Sequence, residues 1–284
     1  MVEAGLVLEG GGMRGLYTCG VLDYFLDREL NFSNIYGVSA GACHACSYIS
    51  KQPGRAMRTG LDYLDDKHYA SVYSFLRTGN FFGVDLSYKL IPNELLPFDF
   101  EEFEKSHCNF YAVLTNCATG EAEYMPVRDL RVDMDIIRAS SSLPLLSRMV
   151  RIRGEKYLDG GISDAIPLAR SIEDGNEKNV VILTQHEGFR KQPNSMMPLM
   201  RARYRKYNEL THSIAVRHEK YNETLDLLKS QQEQGKAFVI QPSAPVEISR
   251  LEKDSTKLIA LYERGRRDAE ELYGDLEPFL KATV

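Results

Sequence analysis

An α/β fold with a mostly parallel sheet is predicted by three features of the sequence. Five short apolar runs, over residues 4–8, 34–38, 110–115, 180–184 and 238–241, alternate with stretches of helical periodicity, the order that βα units produce. Runs such as Val180-Val181-Ile182-Leu183 are apolar without alternation, as strands covered on both faces are. Two of the runs, moreover, lead directly through glycine-bearing turns into helices. A chain of 284 residues with 43% hydrophobic content can bury a large core. No Pro/Ser-rich linker, repeat or low-complexity stretch divides it, so one domain over 1–284 is expected, with its motifs within about 6–169 and further strands and helices over 178–284.

The first strand candidate, 4–8, is followed by Gly10-Gly11-Gly12-Met13-Arg14-Gly15. The helix predicted next, over 16–29, sets Leu16, Cys19, Val21, Leu22, Phe25 and Leu26 on one apolar stripe. A glycine-rich turn at a helix start exposes unpaired N–H groups that attract negative charge, either a phosphate or the oxyanion of an acyl-transfer intermediate. Gly10, Gly12 and Gly15 also satisfy G-x-G-x-x-G after a strand, which keeps a nucleotide-binding α/β oxidoreductase open as an alternative. That alternative needs an acidic residue about 20 residues on, at the end of the second strand. The second strand ends in Ser39 instead, and Asp27 and Glu29 fall at the end of the helix, so the oxyanion reading is preferred.

The second strand, 34–38, runs into Gly37-Val38-Ser39-Ala40-Gly41 and a helix predicted over 40–50. In a nucleophile elbow, flanking glycines leave room for a strained backbone that lifts a serine hydroxyl clear of the sheet. Ser39 is the candidate nucleophile; the competing reading is a tight turn.

A serine nucleophile needs a base, usually a histidine oriented by a carboxylate. None of the six histidines (His44, His68, His107, His186, His212, His218) sits at a glycine-flanked strand end. Asp159-Gly160-Gly161 does, since the glycines permit a sharp turn and a close approach to a partner. The plainer reading of Asp159 is a turn aspartate.

The motifs G-G-G-M-R-G, G-V-S-A-G and D-G-G, in this order and at these separations, resemble the patatin-like phospholipase family. The resemblance extends to Arg138-Ala-Ser-Ser-Ser-Leu-Pro-Leu-Leu-Ser147 and to residues 164–167, and spans roughly 6–169. It implies a three-layer α/β/α sandwich, Ser39 as nucleophile and Asp159 as the only partner of a Ser-Asp dyad. It further implies an oxyanion hole from the amides of Gly10, Gly11, Gly12 and Met13, with Arg14 in the family's basic position and Gly37, Gly41, Gly160 and Gly161 as supports. The implied activity is hydrolysis of carboxylic esters of lipids through an acyl-Ser39 intermediate, without metal or organic cofactor. A patatin-like scaffold working as a non-catalytic binding module is the remaining alternative.

A net charge of −5 offers no overall attraction to nucleic acid or anionic lipid, so any membrane contact has to be local. No stretch approaches the ~18 apolar residues of a membrane span, the start of the chain lacks a secretory pattern, and five cysteines form no disulfide-framework spacing. Cytoplasmic residence is expected, peripheral at a membrane if the basic segment engages it. Cys43 and Cys46, three apart on a helix with no second pair to answer them, read as small packing groups in preference to a redox or metal site.

Residues 189–208 hold six basic residues (Arg190, Lys191, Arg201, Arg203, Arg205, Lys206) and no acidic one. They read either as a solvated loop and the charged start of a helix over 199–230, or as an interfacial element with Met196, Met197, Leu199 and Met200 entering lipid. The aromatic-rich stretch 69–83 is expected to line or cap an acyl pocket, or to pack in the core.

Overall fold

The computed structural model describes residues 1–282. Strand β1 (Val2–Leu8) passes through one turn of 3-10 helix, Gly12–Gly15, into α1 (Leu16–Asp27). β2 (Phe32–Val38) is joined to α2 (Ala40–Ile49) by Ser39 alone. An excursion follows, made of α3 (Arg55–Leu61), α4 (Val72–Thr78), a π-helical stretch Leu86–Leu95 and α5 (Phe100–Lys105). The chain returns to the sheet as β3 (Asn109–Asn116) and β4 (Ala122–Pro126), then α6 (Leu130–Ser140), β5 (Val150–Ile152) and β6 (Glu155–Asp159). The remainder is α7 (Leu168–Glu173), β7 (Asn179–Ile182), α8 (Met197–Arg203), α9 (Asn208–Glu233), β8 (Ala237–Ile240) and α10 (Ser255–Lys281).

The strands form one sheet in the order β5-β6-β3-β2-β1-β7-β8, with β4 pairing off this line with β3. β3, β2, β1, β7 and β8 are mutually parallel and are the five strands expected from the apolar runs. β4, β5 and β6 are antiparallel additions beside them. Successive side chains of a strand face opposite ways. Leu6 and Leu8 accordingly join a core with α1, α2, α6 and α10, whereas Val7 joins a second core with α7 and α9 on the other face. The result is the three-layer α/β/α sandwich.

The sheet register places the site. Leu8 pairs with Gly37 and Val38 with Val113, so the turns leaving β1 and β2 emerge side by side. Leu114, next along β3, pairs with Asp159 at the end of β6. Ligands of open α/β sheets collect at these carboxyl ends of strands.

Two helices differ from the expected bounds by more than one residue. The first ends at Asp27, and Glu29 lies beyond it with a left-handed φ of 52°. The helix expected over 199–230 is two, α8 and α9, because the chain turns at Tyr204, where Tyr207 N donates to the Tyr204 carbonyl at 2.7 Å. Met200 and Tyr204 are held in a buried cluster with Leu158, Ile162 and Ile214, and that packing fixes the break.

Candidate active site

Ser39 occupies the elbow between β2 and α2 with φ 54° and ψ −122°, a conformation costly for a residue with a side chain. Glycine is required around it by close approach: a Cβ on Gly41 would stand 2.6 Å from the Leu8 carbonyl oxygen, and one on Gly10 2.9 Å from the Ser39 Cβ. The elbow is also pinned by hydrogen bonds. Ser39 N donates to Ser140 Oγ at 2.9 Å, and Ser140 Oγ donates to the Val113 carbonyl at 2.7 Å.

Ser39 Oγ donates to Asp159 Oδ2 at 2.6 Å, joining two residues 120 apart in the chain. The other carboxylate oxygen, Oδ1, accepts from Gly161 N at 2.8 Å. The Asp159 backbone is fixed as well: its N–H donates to the Ser142 carbonyl at 2.9 Å, and its carbonyl accepts from Thr115 Oγ1 at 2.8 Å. Burial raises the Asp159 carboxyl above its ordinary value, opposed by the hydrogen bond from Ser39 and the charge of Arg217. An aspartate held in this way is a stronger base than a solvated one.

Of the histidines, His44 is the one closest to the site in sequence. Its Nε2 lies 2.7 Å from where a Cβ on Gly15 would stand, and burial lowers its pKa to about 4, leaving the ring neutral. It has no hydrogen bond to Ser39 or Asp159 among the described residues.

The glycine loop lies against the elbow. The amides of Gly10, Gly11 and Gly12 have no acceptor within the chain among the described residues, and Gly12 lines the same cavity as Ser39. Met13 departs from the sequence expectation: its N–H donates to the Arg250 carbonyl at 3.1 Å and is not free for an oxyanion. Arg250 arrives from the segment between β8 and α10, which the motifs did not reach. Gly37 is the next-to-last residue of β2, and Gly160 and Gly161 open the short 3-10 turn after Asp159. Nothing acidic stands at the end of β2 to hold a ribose, and Asp27 is engaged by Arg266.

Two cavities meet at the pair. An apolar one of about 180 Å³ is lined by Ser39 together with Met13, Leu16, Tyr69, Phe82 and Ile91. The aromatic stretch therefore both lines this cavity and packs within itself, Tyr69 edge-on to Phe82 at 6.2 Å. Cys43 also faces the cavity and approaches Ser141 Oγ at 3.1 Å; burial pushes its thiol up to about 11, and that of Cys46 well above its ordinary value. Burial thus favours the protonated thiol at both positions. The second cavity, of about 490 Å³, is lined by Asp159, Lys191, Arg217, His218 and Arg250.

Sequence reasoning missed Arg217, Arg250 and the inward role of Lys191. Arg217 Nε donates to the Gly161 carbonyl, placing the guanidinium beside Asp159. Lys191 folds inward, its Nζ 4.0 Å above the Tyr221 ring, and burial lowers its pKa to about 7. The interfacial reading of 189–208 shrinks accordingly, since Arg190 pairs with Asp226, Lys191 faces the site and Met200 is buried. Met196 and Leu199 remain exposed, beside Arg201, Arg203, Arg205 and Lys206.

A three-layer α/β fold with a strained serine at a strand-to-helix elbow, bonded to an aspartate at a neighbouring strand end, defines a protein of the serine-elbow class. Residues 6–171, more than half of the chain, match the family model of patatin-like phospholipases, and the chain belongs to that family. Residues 207–281 match a second family, a domain of unknown function (DUF6363). The chain is 36% identical over 187 residues to the protein YjjU of Escherichia coli, covering 63% of this chain and 51% of that one. It is 24% identical over 193 residues to a protein of Invertebrate iridescent virus 6 named "Probable lipid hydrolase 463L", covering 61% and 65% respectively. The chain thus spans about half to two-thirds of the length of these relatives. VipD from Legionella pneumophila is similar in structure over 96% of this chain and 67% of its own, with a TM-score of 0.51 at 14% identity, a likeness of fold.

Proposed function

We propose that the protein is a serine acyl hydrolase that cleaves carboxylic esters of lipids through an acyl-Ser39 intermediate, with Asp159 as the only side-chain base. The observation that carries this reading is the 2.6 Å hydrogen bond from Ser39 Oγ, held in its strained elbow, to the buried Asp159 carboxylate. As Oγ attacks the ester carbonyl, Asp159 takes its proton, and the tetrahedral oxyanion is received by the amides of Gly10, Gly11 and Gly12. Collapse expels the alcohol, which takes the proton back from Asp159. Water then repeats the sequence on acyl-Ser39, giving up a proton to Asp159 and releasing the fatty acid. Ser39, Asp159 and water carry every bond change, so the cycle calls on no metal or organic cofactor.

The apolar cavity beside Ser39 receives the acyl chain. No helix among the described residues is long and apolar enough to cross a membrane. In this reading contact with lipid is local, through the exposed Met196 and Leu199 and the bases of α8 and the turn after it, in a protein resident in the cytoplasm.

A fluorophosphonate probe should label the parent once, at Ser39. Ser39→Ala should escape labelling and lose p-nitrophenyl butyrate hydrolysis at least about a thousandfold, with thermal unfolding little changed. Labelling at another residue, or most activity surviving in Ser39→Ala, overturns the assignment.

A further inference from the structure

The second cavity is unusual in its charge. Lys191, Arg217 and Arg250 line it, and Arg14 lies close enough to Arg250 and Lys191 for their charges to repel. Among the described residues, two carboxylates, Glu9 and Asp159, face this group. Glu9 is engaged by the Thr184 N–H at 2.6 Å, the Thr184 hydroxyl at 2.9 Å and the Tyr221 hydroxyl at 2.7 Å. Asp159 is engaged by Ser39 and Gly161. None of the four cations forms a salt bridge among the described residues, and the Arg14 Nε is buried without any partner. With Lys191 protonated, four cations face two carboxylates, a surplus of two positive charges beside the reacting serine.

Buried charges without partners are costly, and proteins keep them where a ligand supplies the counter-charge. The strain of this arrangement is visible in the bases themselves: burial and mutual repulsion lower Lys191 to about 7, Arg217 to about 10, and Arg14 below its ordinary value. A bound anion would relieve all three together. Position identifies which anion. Asp159 lines this cavity and Ser39 lines the apolar one, so the reacting pair sits on the boundary between the two. A molecule with its acyl chain in the first cavity and its ester carbonyl at Ser39 extends its alcohol side toward Lys191, Arg217 and Arg250.

We propose that Lys191, Arg217 and Arg250 form an anion subsite that selects acyl esters whose alcohol carries a phosphate monoester, two of its three cations coming from the segment that matches the domain of unknown function. The proposal rests on Ser39 acting as the acyl nucleophile and adds which alcohol side is taken. A phosphate monoester carries a charge of about −1.5 to −2 near pH 7, matching the surplus. A zwitterionic headgroup brings a cation of its own into a cavity whose two carboxylates are already engaged.

The test compares three esters with the same acyl chains, below their aggregation limits: dihexanoyl phosphatidate, dihexanoyl phosphatidylcholine and dihexanoylglycerol. The parent should hydrolyse the phosphatidate with a kcat/KM at least about tenfold above the other two, and Lys191→Gln should reduce that preference by about tenfold through KM, the loss expected for one charge-assisted hydrogen bond. Lys191→Arg should restore the preference, which a merely structural lysine would not do. Independently of turnover, calorimetry on Ser39→Ala should show phosphatidate binding that weakens about tenfold when Lys191→Gln is added. Equal kcat/KM for the three esters, or binding indifferent to Lys191→Gln, overturns the proposal. So does inorganic phosphate binding with no preference among the esters, which would make the cavity a site for free phosphate. A parent inactive on every ester refutes the nucleophile reading, and the calorimetry then decides the subsite alone.

Discussion

Burial raises the Asp159 carboxyl above its ordinary value, with opposite consequences for chemistry and for stability. For chemistry, the acid limb of the pH–rate profile should lie above that of a free aspartate, at about 3.9. For stability, the folded protein holds this proton more tightly than the unfolded chain does. The group's contribution is therefore full below the unfolded value and is lost as pH rises through the folded one. Asp159→Asn removes the ionisation while leaving Oδ1 to accept from Gly161 and a donor for Ser39. At pH 7 it should melt above the parent, with the gap closing near pH 4, while ester turnover falls at least about a hundredfold. A variant no more stable than the parent at pH 7 would mean that Arg217 and Arg250 outweigh desolvation. Lys191 makes a second forecast, as the groups facing it are Glu9, Arg14, Arg217 and Arg250. Above about 7 it loses its proton in the free protein, so any preference for the phosphate ester, read as kcat/KM, should decline as pH rises through that value. Ser39 and Asp159 were legible in the sequence because glycines mark each within a few residues. Lys191, Arg217 and Arg250 were not, because each lies in a charged stretch that reads equally as a solvated face, and only tertiary packing turns it inward.

The elbow is supported by a neighbouring element, since the last residue of α6, Ser140, bridges the Ser39 amide and the Val113 carbonyl. Ser140→Ala leaves both buried groups without that hydroxyl, so a loss of about 1–3 kcal/mol is expected in chemical denaturation. Ester turnover should fall with it as Ser39 relaxes. An unchanged midpoint would show that water replaces the hydroxyl. At α8 and the turn after it, changing Arg201, Arg203, Arg205 and Lys206 together to Gln should weaken co-sedimentation with anionic vesicles at low salt, at about 1 kcal/mol for each charge removed, and spare a soluble short-chain ester. Equal sedimentation of parent and variant would return α8 to an ordinary solvated helix. The five parallel strands could be read from sequence because burial on both faces makes them continuous apolar runs. β4 is partly exposed and β5 is three residues long, so neither stands out from its surroundings.

Across the whole molecule, the sheet joins both halves of the chain: β7 and β8 extend it beyond β1, and α10 packs on the same core as α1 and α2. Tyr17 of α1 donates to Asp268 of α10 at 2.9 Å inside this contact. Calorimetry should therefore record one unfolding transition, and Leu276→Ala, at a fully buried site of α10, should lower it as a whole by about 2–5 kcal/mol. Two transitions, only one of them shifted, would show separate units. The bond from Met13 N to the Arg250 carbonyl adds a dimension of time. A ribosome completes the family-matched stretch, nucleophile included, well before it reaches Arg250. Until then the glycine loop lacks the carbonyl that clasps it, and a nascent chain carries its serine in an unfinished setting. The glycine loop and the elbow beside it would reach their finished arrangement only when the segment between β8 and α10 has folded back onto them.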